Sequence, residues 1–158
     1  MKTKAILLAL SLISLGSNAQ GLKDAVGKYF LIGAAINVNQ SNGTDKPATE
    51  VLKTHFNSIV AENCMKSASL QPEEGKFSWK DADNLVKFGQ DNHMTIIGHC
   101  LVWHSQAPRW MFTDKEGKTV SRDVLIKRMT TQIRTVVSHF KSKVHGWDVV
   151  NEAFNDDG

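Results

Sequence analysis

The feature that most constrains the fold is a regular alternation of short apolar runs with helix-like segments. Four apolar runs are typical of strands, at 28–36, 57–65, 95–103 and 144–151. Three helical segments separate them, at 49–56, at 81–91 and in a long stretch after Ser121, a predicted N-cap. Because near-continuous apolar strands alternate with helices, the sequence predicts an α/β fold with a parallel sheet covered on both faces.

Polar side chains collect where the second, third and fourth predicted strands end. Functional sites of parallel α/β folds, both open sheets and (β/α)8 barrels, lie at the carboxyl ends of strands. The three clusters are Glu62, Asn63 and Lys66; His99, Trp103, His104 and Gln106; and Asp148, Asn151 and Glu152. Such a set suits a carbohydrate, because sugar hydroxyls need donors and acceptors and the apolar face of a sugar ring packs on an aromatic side chain.

Glu152 is the best candidate for a catalytic acid in this set. It ends an apolar strand, so we expect partial burial there, which would favour a carboxyl group that holds a proton. A glycosidase requires a pair of carboxylates, one of which protonates the leaving oxygen. The alternative interpretation is a solvent-exposed loop acid without a catalytic role.

A metal site is the competing interpretation of the histidines at these strand ends. His99 and His104, together with Asp148 or Glu152, could ligate zinc, but their spacing matches no recognised zinc signature. The sequence also contains no motif for phosphate binding, dinucleotide binding, or serine or zinc hydrolysis. We therefore expect no metal and no cofactor.

Other chemically notable residues are predicted to be structural. The histidines interpreted as surface residues of helices or turns are His55, His93, His139 and His145. Trp79 and Trp110 are predicted to pack rather than to bind a ligand. Cys64 and Cys100 are the two cysteines, and we expect them to be free and buried, with a disulfide as the alternative for an exported protein.

The N-terminal segment has the layout of a cleaved secretory signal. Lys2 and Lys4 precede an apolar run at 5–15, and small residues up to Ala19 fit a cleavage site after it. A membrane span requires roughly 20 apolar residues, about twice this run. We therefore expect a signal peptide at 1–19, a secreted, periplasmic or cell-surface protein, and no membrane partner after cleavage.

Removal of that segment also changes the charge. The balance of 19 basic against 16 acidic residues gives a net charge of +3, and it falls to +1 without Lys2 and Lys4. A near-neutral chain without a basic cluster gives no electrostatic argument for a nucleic-acid partner.

Four longer motifs follow one another along the chain: VAENCMK at 60–66, PEEGKFSWKDAD at 72–83, GHCLVWHSQAPRW at 98–110 and WDVVNEA at 147–153. Together they resemble glycoside hydrolase family 10, the endo-β-1,4-xylanases, over about 29–154. The resemblance implies a (β/α)8 barrel, of which about the first four β/α units are present. Residues 20–158 would then form the N-terminal half of the catalytic domain.

The resemblance also implies roles for the polar residues. Glu152 aligns with the general acid/base of a retaining mechanism, and Asn151 bonds the sugar next to the scissile bond. Asp148 matches a supporting acid that orients a histidine from the second half of the barrel, with His104 close by. The other residues implied to bind substrate are Glu62, Asn63, Lys66, His99, Trp103 and Gln106.

Two departures from the family pattern are visible. Cys100 stands where relatives usually have Thr, a near-isosteric change. Ser67-Ala68-Ser69 replaces a stretch in which relatives usually carry an aromatic residue and an acid, which could loosen the glycone side of the site.

The family places its catalytic nucleophile on a later strand, so no residue of this chain is assigned to it. We expect retaining hydrolysis of internal β-1,4 bonds by the whole enzyme, with xylan or xylo-oligosaccharides as partners. We expect no turnover by this chain alone, because four strands cannot close an eight-stranded barrel. The alternatives are a catalytically inactive carbohydrate-binding fragment, or β-1,4-glucanase activity in a full-length parent. A fragment, a truncated gene and a barrel interrupted by an inserted module all fit the length.

Overall fold

The computed structural model describes residues 21–154, so the predicted signal peptide at 1–19 lies outside the described residues. Four strands form one sheet in the order β1-β2-β3-β4. They are β1 (Gly33–Ile36), β2 (Ser58–Ala61), β3 (Thr95–Val102) and β4 (Gly146–Val150). Every neighbouring pair is parallel, with the registers Gly33↔Ser58, Ser58↔Thr95 and Ile97↔Gly146. The prediction of an α/β fold built on a parallel sheet is confirmed.

Helices connect successive strands, as the alternation in the sequence predicts. The longer helices are α3 (Lys46–His55), α5 (Lys80–Asp91) and α6 (Arg122–His139), and the shorter ones are α1 (Leu22–Val26), α2 (Val38–Ser41), α4 (Ser67–Leu70) and a 3₁₀ helix (Arg109–Met111). Ser121 caps α6 as predicted, since its hydroxyl accepts a hydrogen bond from the backbone N–H of Val124. In the described part of the chain, no helix has the length and apolar character that a membrane span requires.

The core lies between the inner strands and α5. Ile59 of β2 and Ile96 of β3 are almost completely buried, as is Leu85 of α5. Gly89 permits this close approach, because a Cβ there would lie 2.6 Å from a side-chain carbon of Ile96. The core therefore places the carboxyl ends of β2 and β3 firmly relative to each other.

Three predictions about the strands are wrong in detail. The first strand begins at Gly33 instead of residue 28, because the chain turns after α1 and leaves Tyr29 and Phe30 exposed. The second strand ends at Ala61, so Cys64 lies beyond it. The expected cover on both faces is also absent from β4 in the described residues, where Val149 is 57% exposed.

His139 is not the surface residue that the sequence predicts. Its ring stacks on Trp79 with the centroids 4.0 Å apart, and its Nε2 lies 2.7 Å from a carboxylate oxygen of Asp83. The contact joins α6 to α5. Trp79 also stacks on Phe77, which agrees with its predicted packing role.

Candidate active site

The predicted site residues lie at one edge of the sheet. Glu62 follows β2, Trp103 follows β3, and Asn151 and Glu152 follow β4. The backbone ties these strand ends together: the N–H of Glu62 donates to the Ile36 carbonyl at 2.9 Å, and the N–H of Asn151 donates to the Val102 carbonyl at 2.9 Å. A parallel sheet brings all carboxyl ends to the same edge, so three clusters separated along the chain become neighbours.

Glu152 is held by the residues that follow β3. The indole N–H of Trp103 donates to Oε2 of Glu152 at 2.8 Å, and the Nε2 of His104 lies 3.8 Å from the same oxygen. The expected partial burial of Glu152 is not observed, since its side chain is 57% exposed on the uncovered strand β4. Its backbone has φ of +50°, a left-handed conformation that costs energy for a non-glycine residue.

Lys66 forms the buried part of the site. The residue is 7% exposed, and its ammonium group donates to the side-chain carbonyl of Asn63 at 3.0 Å. The same ammonium lies 4.7 Å from the ring centroid of Trp103, within cation–π distance. Trp103 therefore contacts Lys66, which follows β2, with its ring, and Glu152, which follows β4, with its indole N–H.

Asp148 and His99 form a second link between β3 and β4. The two residues are register partners on adjacent strands, and Nδ1 of His99 lies 2.9 Å from Oδ2 of Asp148. The resemblance implies that Asp148 orients a histidine from the second half of the barrel. In the described residues its partner is His99, whose ring orientation this contact fixes.

Two predicted substrate-binding residues are less closely joined to the others. Gln106 is exposed, has φ of +46°, and is anchored by its carbonyl, which accepts from the N–H of Ala68 at 3.0 Å. Glu62 is exposed and lines a separate cleft of about 310 Å³ together with Asn37 and Asn63. The carboxylate of Glu62 and the amide of Gln106 thus stand apart from the Trp103–Glu152 contact.

The cavity beside Glu152 is lined largely by apolar residues. Trp103, His104, Asn151 and Glu152 also line it, and its volume is about 260 Å³. Met129 and Gln132 of α6 contribute to the wall, although no motif in the sequence marks them. Their contribution depends on how α6 packs against β3, which the helical pattern alone does not determine.

Arg128 is the most heavily bonded side chain that sequence reasoning missed. Its guanidinium makes two bonds to the Glu74 carboxylate, at 2.9 and 3.0 Å, and donates to the carbonyls of Trp110 and Thr113. It therefore ties α6 to the loops that follow β2 and β3. Trp110, predicted to pack, donates its own N–H to the carbonyl of Gln71.

Both cysteines are free and buried, as predicted. Burial raises the pKa of the Cys64 thiol to about 11, and burial also raises the pKa of Cys100 despite the nearby positive charge of Lys66. Neither thiol is therefore activated as a nucleophile. Within residues 21–154, no three His, Cys, Asp or Glu side chains are grouped to hold a metal ion.

A parallel sheet with a polar site at its carboxyl ends defines an α/β protein, either a (β/α)8 barrel or an open sheet. The sequence profile described as glycosyl hydrolase family 10 matches residues 21–158, and the chain belongs to this family. Its four strands with their helices are therefore part of a (β/α)8 barrel, and the family predicted from the four motifs is confirmed.

Characterised relatives agree with this assignment. Endo-1,4-beta-xylanase A of Xylanibacter ruminicola is 53% identical over 152 residues, which cover 96% of this chain and 41% of the relative. Endo-1,4-beta-xylanase C of Paenibacillus barcinonensis is 46% identical over 95% of this chain and 14% of the relative. A solved family 10 structure from Paenibacillus barcinonensis superimposes with a TM-score of 0.83 at 47% identity, over 89% of this chain and 40% of that chain. The chain thus spans less than half the length of these relatives.

Proposed function

We propose that the protein is an endo-1,4-β-xylanase that cleaves internal bonds of xylan with retention, and that this chain contributes the general acid/base half of its active site. The observation that carries the proposal is the position of Glu152 after β4, with one carboxylate oxygen held by the N–H of Trp103. The similarity to endo-1,4-beta-xylanases supports xylan as the substrate.

In this mechanism Glu152 transfers the proton. The Trp103 N–H holds Oε2, which leaves Oε1 to donate a proton to the departing glycosidic oxygen and later to accept one from water. A second carboxylate, on a strand outside this chain, attacks the anomeric carbon and forms the covalent intermediate. Retention requires that carboxylate to lie roughly 5–5.5 Å from Glu152.

The remaining residues bind and orient the sugars. The ammonium group of Lys66 and the amide of Asn63 are hydrogen-bonded to each other, and this bond fixes both side chains before substrate binds. Trp103 offers an aromatic ring for an apolar sugar face. Substrate contacts are proposed also for Glu62, His99, Gln106 and Asn151, with His104 and Asp148 in supporting positions.

The chain by itself is proposed to lack turnover, because it contains no assigned nucleophile. The second candidate function is therefore a carbohydrate-binding fragment. The buried Lys66, bonded to Asn63 beside Trp103, favours it, since these groups are fixed without the other half of a barrel. The signal-like segment at 1–19 supports export, which would bring the enzyme to an extracellular polysaccharide.

The proposal is tested with a polypeptide that carries this chain and the second half of a family 10 catalytic domain. We expect Glu152→Ala to lower xylan hydrolysis by about 10²–10⁴-fold, the usual contribution of a general acid/base. Glu50→Ala is the matched control, since that exposed glutamate lies on α3 and pairs with Lys53. Undiminished activity of Glu152→Ala would overturn the assignment.

Two further measurements resolve the alternatives. Parallel assays on xylan and on a β-1,4-glucan separate the two proposed polysaccharides, and the anomer released first reports retention or inversion. Titration of the chain alone with xylo-oligosaccharides, followed by tryptophan fluorescence, tests the binding-fragment function. An unchanged signal at millimolar sugar would exclude it.

A further inference from the structure

A second cavity lies away from the candidate active site, between α6 and the loop that precedes α5. Its volume is about 330 Å³, within the range of small-ligand sites. Phe77 and Trp110 provide aromatic walls, and Val124, Lys127 and Arg128 form the wall on α6. None of these residues belongs to the proposed catalytic machinery.

The cavity is not a consequence of the uncovered edge of β4. The loop before α5 follows β2, and α6 follows β3, and these two strands each pair with a neighbour on both sides. The hydrogen bonds from Arg128 to Glu74 and to the Trp110 carbonyl fix the two loops against α6. Its walls are therefore set by contacts internal to the described chain.

One wall residue has an unmet hydrogen-bonding requirement. Gln71 is 3% exposed and lines the cavity, and its Oε1 accepts no hydrogen bond from any described residue. Buried polar atoms of proteins are nearly always paired. The Oε1 atom of Gln71 has almost no accessible surface, so it lies behind the cavity wall and does not face a ligand. Gln71 contributes to the cavity through its backbone carbonyl, which accepts a hydrogen bond from the indole N–H of Trp110 and so fixes that aromatic wall.

The side chains that line the cavity indicate the class of ligand that it fits. Two aromatic rings favour a flat apolar face, while Lys127 presents an ammonium group that pairs with no acid among residues 21–154. The Glu74 carboxylate, already oriented by Arg128, adds an acceptor at the rim. Hydroxyls surrounding an apolar ring face are the chemistry of a pyranose sugar.

We propose that this cavity is a non-catalytic binding site for a sugar unit of the polysaccharide substrate, which rests on the proposed xylanase function. The loop that carries Trp103 at the active site reaches Trp110 at the cavity after seven residues, at most about 25 Å of extended chain. A polymer of several sugar units spans the two sites, whereas a short oligosaccharide occupies one. The site raises the local concentration of polymer at the catalytic cleft.

The cavity is tested by filling it. Val124 is 41% exposed at the wall, so Val124→Trp occupies the space without removing a core contact. Val51→Trp makes the same change on the outer surface of α3, where Val51 is 52% exposed, and is the matched control. In the polypeptide that carries both halves of the domain, we expect Val124→Trp to raise KM for polymeric xylan at least threefold. Its kcat/KM for xylotriose should equal that of Val51→Trp.

The outcomes separate the cavity from the proposed function. Equal KM values for xylan in Val124→Trp and Val51→Trp would overturn the cavity site, while xylotriose cleavage by both would still uphold the xylanase. If no form cleaves xylan or xylotriose, the proposed function fails. Electrophoresis of the 158-residue chain through gels containing soluble xylan then tests the cavity alone. If Val124→Trp abolishes the retardation of the chain by xylan, the cavity site is supported. If the variant is retarded as much as the parent chain, the cavity site is overturned.

A second variant guards against damage to the fold. If Val124→Trp also loses xylotriose cleavage, Lys127→Ala replaces it, because Lys127 is exposed and its side chain makes no hydrogen bond to a described residue. A higher KM for xylan with unchanged xylotriose cleavage supports the site. Unchanged values for both substrates overturn it.

Discussion

Strands β3 and β4 are both apolar runs in the sequence, but they differ in burial in the structure. In β3 Ile96 and Cys100 are almost fully buried, whereas in β4 Val149 and Val150 are more than half exposed. Strand β3 pairs on both sides, while in the described residues β4 pairs only with β3. An apolar run therefore predicts a strand, and its neighbours decide whether that strand is buried.

The same contrast divides the candidate active site. Lys66, on the side of β2 and β3, is 7% exposed, while the Glu152 side chain, after β4, is 57% exposed. Lys66, a proposed sugar-binding residue, thus lies on the buried part of the sheet, and the proposed proton donor lies at its exposed edge. Trp103 joins the two parts through its bond to Glu152.

The largest expected difference in stability comes from truncating a β-branched aliphatic side chain to alanine in each of the two strands. Ile96→Ala leaves a cavity in the core and should lower the free energy of unfolding by about 2–5 kcal/mol. Val149→Ala, at a site that is 57% exposed, should cost less than about 0.5 kcal/mol. Urea unfolding of the chain, followed by circular dichroism, measures both. A comparable loss for the two variants would mean that β4 is covered in solution.

The second prediction concerns the loop that leaves β3 for α6. Arg128→Ala removes the bonds to Glu74 and to two loop carbonyls, so we expect a loss of about 2–3 kcal/mol in the free energy of unfolding. Arg134→Ala is the control, because Arg134 is an exposed arginine of the same helix. Its change should stay below about 0.5 kcal/mol. Equal effects would show that the bonds of Arg128 add nothing to stability.

Periodicity and strand-end position identify the parallel sheet, the N-cap at Ser121 and the clustering of the polar residues. They do not identify the contacts of Arg128, whose partner Glu74 is 54 positions away in the sequence. They also miss the pairing of His99 with Asp148, because strand register depends on packing of the whole sheet. The exposure of Glu152 is missed because an apolar run does not show whether the strand it forms is covered by neighbours.

The third prediction uses the buried thiol beyond β2. Burial raises the pKa of the Cys64 thiol to about 11, above its ordinary value of 9.0, so the unfolded chain loses this proton first as the pH rises. The free energy of unfolding should therefore fall between pH 9 and pH 11. Ionisation of this thiol should account for about 2 kcal/mol of that fall by pH 10.5. Cys64→Ala should flatten that fall relative to the parent in urea unfolding at pH 8 and pH 10.5. Parallel pH profiles for the two proteins would contradict the assignment.

The smallest effect is expected at the contact that joins the two parts of the site. Trp103→Phe keeps an aromatic ring for the sugar and removes the N–H that holds Oε2 of Glu152. Because the acceptor is a half-exposed carboxyl group, the bond contributes about 1 kcal/mol, which corresponds to roughly a fivefold loss in kcat for xylan. Trp79→Phe is the control, since Trp79 packs between Phe77 and His139. An unchanged kcat would mean that Glu152 is oriented without the hydrogen bond from Trp103. The position of this carboxyl group, after β4, would then be independent of the buried residues on the side of β2 and β3.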